Sequence, residues 1–342
     1  MSQVSIKDIA KLAGVSIATV SRCLNNPERV RPDTRERVQN AIDETGYSPN
    51  TLAQSFRRGK THVIMVVLPS VGDPFFTDVM RGIRQVASEN GYSILINETQ
   101  FNTMTADEIG AMVVSRQADG IALLASLSPF GTRVLSASSH QALPMVIGCE
   151  TIADELSSCP GIHIDNISAA REATHYLLDL GHERIAFIFG EHKTLLTQGR
   201  ENGYRSAMTE ANKVIDSGWV VEGKLSIEGA IAATQKLLAH PNRPTAIFCA
   251  NDEMAMGCLH AVKSAGLRVP NDISVIGFDD NRYARITDPP LTTISQPAQL
   301  IGERVMHRLL HEIENGRSKD ADPEIVPHEL IIRDSAAAPG KS

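Results

Sequence analysis

This sequence lacks the usual signs of a disulfide scaffold, a metal centre, a membrane span or a catalytic motif. Its five cysteines, Cys23, Cys149, Cys159, Cys249 and Cys258, are odd in number and show no Cys-x-x-Cys spacing. That argues against zinc and suits reduced thiols. Apolar runs such as Val63 to Leu68 are far too short to cross a bilayer. No apolar leader opens the chain, and reduced thiols in a cytoplasm are the expectation. There is no Gly-x-Ser-x-Gly elbow, no phosphate-cradling Walker loop and no His-Glu-x-x-His. His163, His182 and His260 are isolated in sequence. No cofactor and no metal are expected.

What is present is an uneven distribution of charge. Residues 1–60 hold 10 Lys and Arg against 6 Asp and Glu, a balance of +4, so the remainder carries −11 of the whole-chain −7. A basic head on an acidic body suits a nucleic-acid binder whose body does something else.

The head reads as two short helices joined by a tight turn, followed by a third helix. Ser5 caps the first helix, with Asp8 in its first turn, and Ile6, Ile9, Ala10 and Ala13 fall at helical spacing. Gly14 supplies the turn, Val15 plugs it, and Ser16 caps a second helix whose buried face is Val20 and Leu24. Ile17, Ala18, Thr19, Ser21, Arg22 and Asn25 are left outside, a small, polar and singly basic face without acids. Such a face enters a major groove without steric conflict, and Arg22 can bond a guanine edge or a phosphate. Pro32 opens the third helix, Val38, Ala41 and Ile42 line it, and Gly46 stops it.

The head resembles that of the LacI/GalR family of bacterial transcription regulators. The matching residues are Asp8-Ile9-Ala10, Ala13-Gly14-Val15-Ser16, Thr19-Val20-Ser21-Arg22, Asn25 and Gly46-Tyr47-Ser48-Pro49-Asn50. The resemblance implies operator DNA as partner, with Ser16, Ile17, Ala18, Thr19, Ser21, Arg22, Asn25, Arg29 and Asn50 at the interface. It also implies that residues 49–60 form a hinge helix on DNA. Its wedge position holds Phe56 where the family usually has leucine, with Arg57 beside phosphates.

Residues 62–335 alternate apolar strands with helical segments, which predicts parallel sheets with crossover helices. Two sets of strands predict two lobes, with ligand beyond the carboxyl ends of the strands. Asp73-Pro74-Phe75-Phe76 follows the first strand. Asp73 can accept hydroxyl hydrogens, while Phe75 and Phe76 are equally suited to stacking on a ligand or anchoring the core. Glu150 also follows a strand. The carboxylates of Asp279 and Asp280, with Asn251 and Asp252, could mimic an acid/base pair, but no second feature supports catalysis.

The body resembles the same family's sensor domain, on Asp165-Asn166-Ile167-Ser168, Leu180-Gly181-His182-Glu183-Arg184, Asn251-Asp252-Glu253-Met254, Ile276-Gly277-Phe278-Asp279-Asp280 and Pro289-Pro290-Leu291-Thr292. That implies an α/β fold with a helix-turn-helix head and a two-lobed body like periplasmic binding proteins. The expected domains are 1–48, a hinge at 49–60 and a sensor at 61–335. Lobe one would hold about 62–160 and 292–320, lobe two about 161–291 and 325–333. The resemblance places Arg200, Asn251, Asp279 and Gln296 on the effector, with Asp73, Phe75, Phe76 and Glu150, and makes Asp252 and Asp280 caps or structural partners. Leu225 stands where several relatives have a stacking aromatic. Within the family, Asp73-Pro74-Phe75-Phe76, Ile162-His163-Ile164-Asp165-Asn166 and Glu329-Leu330-Ile331-Ile332-Arg333 resemble the cytidine-repressor group, which implies a nucleoside or pentose effector. A homodimer on a near-palindromic operator is expected, with no membrane partner. Residues 334–342 carry no leucine heptad to build a tetramer. The alternatives are a sugar- or nucleoside-processing enzyme and a pure small-molecule-binding protein.

Overall fold

The computed structural model describes residues 4–47, 60–99, 117–125, 143–150, 159–191, 194–316 and 322–340. The chain divides into two compact units, Met1–Thr61 and His62–Ser342.

In the first unit, α1 spans Ile6–Leu12, α2 Ile17–Asn25 and α3 Pro32–Thr45. The Asp8 carboxylate accepts from both the Ser5 amide (2.9 Å) and the Ser5 hydroxyl (2.7 Å), which ties off the start of α1. Ser16 caps α2 by accepting from the Thr19 amide at 3.1 Å, a contribution of about 1 kcal/mol for such caps. Gly14 sits at φ +64°, a turn conformation that a side chain would strain. Ile9, Ala10, Ala13, Val20, Cys23, Val38 and Ala41 form a small closed core, with Val15 and Leu24 packed on it.

The second unit contains two sheets. The first runs β11-β5-β4-β3-β1-β2, from β1 (Val63–Leu68), β2 (Ser93–Glu98), β3 (Gly120–Leu123), β4 (Met145–Gly148), β5 (Gly161–His163) and β11 (Glu324–Ile325). All its pairings are parallel. The second runs β12-β10-β9-β8-β6-β7, from β6 (Ile185–Phe189), β7 (Val220–Glu222), β8 (Ala246–Cys249), β9 (Ser274–Asp279), β10 (Thr292–Ser295) and β12 (Glu329–Ile331). It is parallel except for β12 against β10. The central strands are buried along their length, as the unbroken apolar runs require.

Helices α4 (Pro74–Glu89), α5 (Asn166–Asp179), α6 (Leu195–Glu210), α7 (Ile227–Leu238), α8 (Asp252–Ser264) and α9 (Ala298–Asn315) cover the sheets. The α4–α9 pair is drawn backbone to backbone. A methyl on Gly82 would lie 2.1 Å from the Gln299 carbonyl oxygen, and one on Gly302 would lie 2.0 Å from that of Val79.

The expected lobe boundaries need correction. Gly161–His163 belongs to the first sheet, paired with β4, and Thr292–Ser295 to the second, paired with β9. Glu324–Ile325 joins β5 in the first sheet, so the final stretch is not one strand of lobe two. The chain therefore leaves each sheet one strand later than expected. Among the described residues it crosses between lobes near 164–165, 296–297 and 326–328. Short apolar strands fit either sheet, and only long-range pairing decides between them.

The end of the described chain is sewn to the second sheet. Ser335 accepts from the Thr292 amide (2.8 Å) and donates to the Val275 carbonyl (2.6 Å). Buried His182 bonds Thr245 Oγ1 (2.9 Å), Ser274 Oγ (3.1 Å) and the Ala337 carbonyl (2.8 Å).

Candidate functional site

On the head, Ser16, Ile17, Ala18 and Arg22 are exposed, while Thr19 and Ser21 are half-buried. Ala18 and Arg22, four residues apart, share the side of α2 turned away from Val20, whereas Ile17 lies three residues before Val20 and Thr19 four before Cys23. Cys23 belongs to the core beside Val20, a role the sequence reading did not give it. Arg29 is exposed beside Glu28, 3.7 Å away. Asn50, Phe56 and Arg57 lie outside the described residues.

The body's candidates come together at the carboxyl ends of parallel strands. Asp73 follows β1 and caps α4, accepting from the Phe75 amide at 2.8 Å. Burial raises its pKa, opposed by that amide and by the charge of Arg200. Cys149 and Glu150 follow β4. Cys149 is buried at φ +71°, and burial, then the nearby Glu150, hold its thiol protonated. Glu150 is buried within electrostatic reach of Arg200. Asp73 and Glu150 from the first lobe therefore lie within electrostatic reach of Arg200 from the second, and Asp73 within reach of Asp279 as well.

Arg200 is 2% exposed, and two of its N–H groups are hydrogen-bonded within the protein. Its Nε donates to Asn166 Oδ1 at 2.9 Å, and an Nη donates to the Ala250 carbonyl. Its guanidinium lies 3.6 Å over the Phe278 ring and 3.8 Å from Asp279 Oδ1. Burial lowers its pKa, opposed first by Asp279 and then by Glu150. Arg200 thus sits beside Asp279 with two of its five N–H donors committed to Asn166 and Ala250.

Asp279 ends β9 at φ +117°, a backbone region that disfavours a side chain, and Asp280 follows at +54°. Burial raises the Asp279 pKa well above the usual carboxylate range, opposed by Arg200. Gln296 donates to Asp279 Oδ1 at 2.7 Å. Asn251 caps α8 by accepting from the Met254 amide at 2.9 Å. A hollow of about 310 Å³ brings together Phe75, Asp279 and Gln296. Phe75 and Phe76 pack edge to face at 5.2 Å, both buried in the main core, and only Phe75 also borders this hollow.

Two structural partners stand beneath the site. Asp252 accepts from Thr293 Oγ1 (2.7 Å) and from the Asn281 amide (2.8 Å), and burial pushes it up to about 7. Asp280 pairs with Arg333 at 2.7 Å. Sequence reasoning missed Thr197. Its side chain is completely buried and its Oγ1 has no hydrogen-bond partner among the described residues. Thr197 Oγ1 and the Leu225 side chain converge on Gly190, where a methyl would lie 2.9 and 2.7 Å from them. No sequence pattern marks that convergence.

A three-helix DNA-reading head carried with a two-lobed cleft for a small polar ligand defines a ligand-responsive DNA-binding regulator. The pattern of the bacterial regulatory proteins of the lacI family matches residues 5–50, and that of the periplasmic binding protein-like domain matches residues 174–336. The HTH-type transcriptional repressor CytR of Escherichia coli K12 is 38% identical over 98% of this chain and 96% of its own. The ribose operon repressor of Haemophilus influenzae is 34% identical over 96% of this chain and 98% of its own. The solved lac repressor dimer, bound to operator and the anti-inducer ONPF, superposes with a TM-score of 0.86 at 27% identity, covering 98% of this chain and all of that one.

The chain belongs to the LacI family of bacterial transcriptional regulators. Its named relatives are regulators, not enzymes. Among the described residues no helix is long and apolar enough to cross a membrane.

Proposed function

We propose that this regulator is a cytoplasmic homodimeric repressor whose operator affinity is set by a nucleoside or pentose bound in the cleft. Two heads then meet the half-sites of a near-palindromic operator, each with α2 in the major groove. Arg22 reads a base or phosphate, Ser16, Thr19, Ser21, Asn25, Arg29 and Asn50 position the head on the backbone, and Phe56 and Arg57 belong to the hinge. Asp73, Glu150, Asn251, Asp279 and Gln296 hold the ligand's hydroxyls, Arg200 fixes Asp279, and Phe75 borders the sugar. Phe76 serves the core.

The observation that carries this reading is Asp279. It is a buried carboxyl on a strained strand end, held by Gln296 and Arg200 and facing Asp73 across the lobes. Backbone strain of this kind costs about 1–3 kcal/mol and persists where surrounding structure over-determines it, as at ligand sites. A polyol is favoured because the site sets the carboxyls of Asp73, Glu150 and Asp279 beside Arg200. A relative named for the ribose operon points the same way.

The test is calorimetric titration of the full chain with nucleosides, pentoses, hexoses and sugar acids, repeated with Asp279→Ala. Binding of a nucleoside or pentose that the variant loses supports the reading. Binding that survives the substitution moves the site elsewhere.

A further inference from the structure

One buried hydroxyl at the ligand edge of the second sheet has no use within the protein. Thr197 is completely buried, and its Oγ1 has no hydrogen-bond partner among the described residues. A buried polar group without a partner costs stability, so each one in a folded protein calls for an explanation. Thr174, in mid-helix, donates its hydroxyl to the Ala170 carbonyl four residues back at 2.8 Å. Thr197 lies in the first turn of α6, where no helical residue stands four back.

Its position points to a ligand. Strands β9, β8 and β6 lie side by side in the second sheet, and Asp279, Asn251 and Gly190 stand at their carboxyl ends. Thr197 Oγ1 and the Leu225 side chain both close on Gly190, and Thr197 comes one turn of α6 before Arg200. The hydroxyl therefore belongs to the same strand edge as Asp279, two strand spacings or about 10 Å along it.

The two ends of that edge differ in chemistry. At β9, Asp279 lies beside Arg200 and within electrostatic reach of Asp73, surroundings that suit the hydroxyls of a sugar. At β6, a single hydroxyl stands beside an aliphatic side chain and a backbone without a Cβ. That end suits a flat ring with apolar faces and a polar edge, and it leaves the hydroxyls of a polyol unpaired. Leu225 covers the Thr197 hydroxyl from a segment where Lys224 (φ +56°) and Leu225 (φ +50°) are both left-handed without being glycine. Backbone strain of that kind clusters at ligand clamps.

We propose that Thr197 is an effector contact. The base of a nucleoside lies at Gly190 in place of the Leu225 side chain and hydrogen-bonds the Thr197 hydroxyl, while its ribose is held at Asp279. The effector is then a nucleoside and not a free pentose. The proposal rests on the reading of the cleft given above.

The test is calorimetric titration of the full-length chain with ribose, adenosine, guanosine, cytidine and uridine. Thr197→Val keeps the shape of the side chain and removes its hydroxyl, and Thr197→Ser keeps the hydroxyl. Thr234 is the control: its buried Oγ1 also lacks a partner, but it lies in α7 about 10 Å beyond the first residue of that helix, Ile227. At least one nucleoside is expected to bind more tightly than ribose. Thr197→Val weakens it about 2- to 10-fold, the range for one hydrogen bond between neutral groups. Thr197→Ser and Thr234→Val keep the parent's affinity, and ribose binds all of them alike. Both valine variants resist urea at least as well as the parent, because each removes an orphaned group. Thr197→Ala repeats the deletion where valine disturbs the packing. Nucleoside affinity unaltered in Thr197→Val and Thr197→Ala overturns the proposal, as does ribose bound as tightly as every nucleoside. Either result leaves the cleft reading intact. Binding of none of these probes overturns both.

Discussion

Gln296 donates its Nε2–H to Asp279 Oδ1 at 2.7 Å, while its own Oε1 is buried with no partner among the described residues. Gln296 lies where the chain leaves the second sheet for α9, which packs on the first lobe. One side chain thus belongs to the ligand site and to a lobe crossing at once. A ligand hydroxyl that donates to Oε1 satisfies the orphaned acceptor and engages the crossing directly. Gln296→Ala is therefore expected to weaken effector binding roughly 2- to 10-fold, the range for a hydrogen bond between neutral groups. Effector-free operator affinity stays within about twofold of the parent, because α2 is untouched. Titrations with effector and with operator read the two quantities separately. Unchanged effector affinity removes Gln296 from the site.

Arg22→Ala separates reading from simple attraction. A base contact specifies, whereas a phosphate contact only positions. Loss of a bidentate base contact costs roughly 1–3 kcal/mol of discrimination, so operator affinity falls about 5- to 150-fold while binding to random duplex falls much less. Fluorescence anisotropy on both duplexes at one fixed salt concentration gives the ratio. An equal loss on both makes Arg22 a phosphate contact.

The head was legible because its logic is local. Ser5 with Asp8, Gly14 at φ +64°, Ser16 and Gly46 punctuate helices a few residues long, and each mark acts within one turn. The body was legible as alternating strands and helices, but not in which sheet each short strand joins. Nothing beside Ile162 or Thr293 in sequence says which sheet each joins, and their partners lie far along the chain. Within the site, Asp73 and Asp279 could be picked out as polar residues after strands. Their roles could not: Asn251 is the helix cap and Asp252 the buried brace, a distinction set by Thr293 and the Asn281 amide. Arg200's commitment to Asn166, Ala250 and Phe278 depends on three separate segments meeting.

His182 gives the fold a dependence on pH. Burial lowers its pKa below the ordinary 6.5, opposed by its bond to the Ala337 carbonyl. The unfolded chain then binds the proton more readily, so the stability held by neutral His182 is present above pH 6.5 and is lost as pH falls through the depressed value. Asp252 acts in the opposite sense. Its pKa is raised to about 7, so its contribution is lost as pH rises from about 4 towards 7. Comparison with His182→Asn isolates the first effect. The stability gap between parent and variant is expected to narrow as pH drops below 6.5 in urea unfolding. A gap independent of pH means His182 titrates alike in the folded and unfolded chain.

The central claim is that effector and operator bind different states of one molecule. Linkage requires that each then change the other's affinity by the same factor, typically about 5- to 150-fold. The direct measurement is calorimetric titration of the dimer with the best nucleoside or pentose, once alone and once with saturating operator DNA, and the reverse titration with effector present. The account predicts two equal ratios different from one, both lost in Asp279→Ala. Tight effector binding that is identical with and without operator contradicts it.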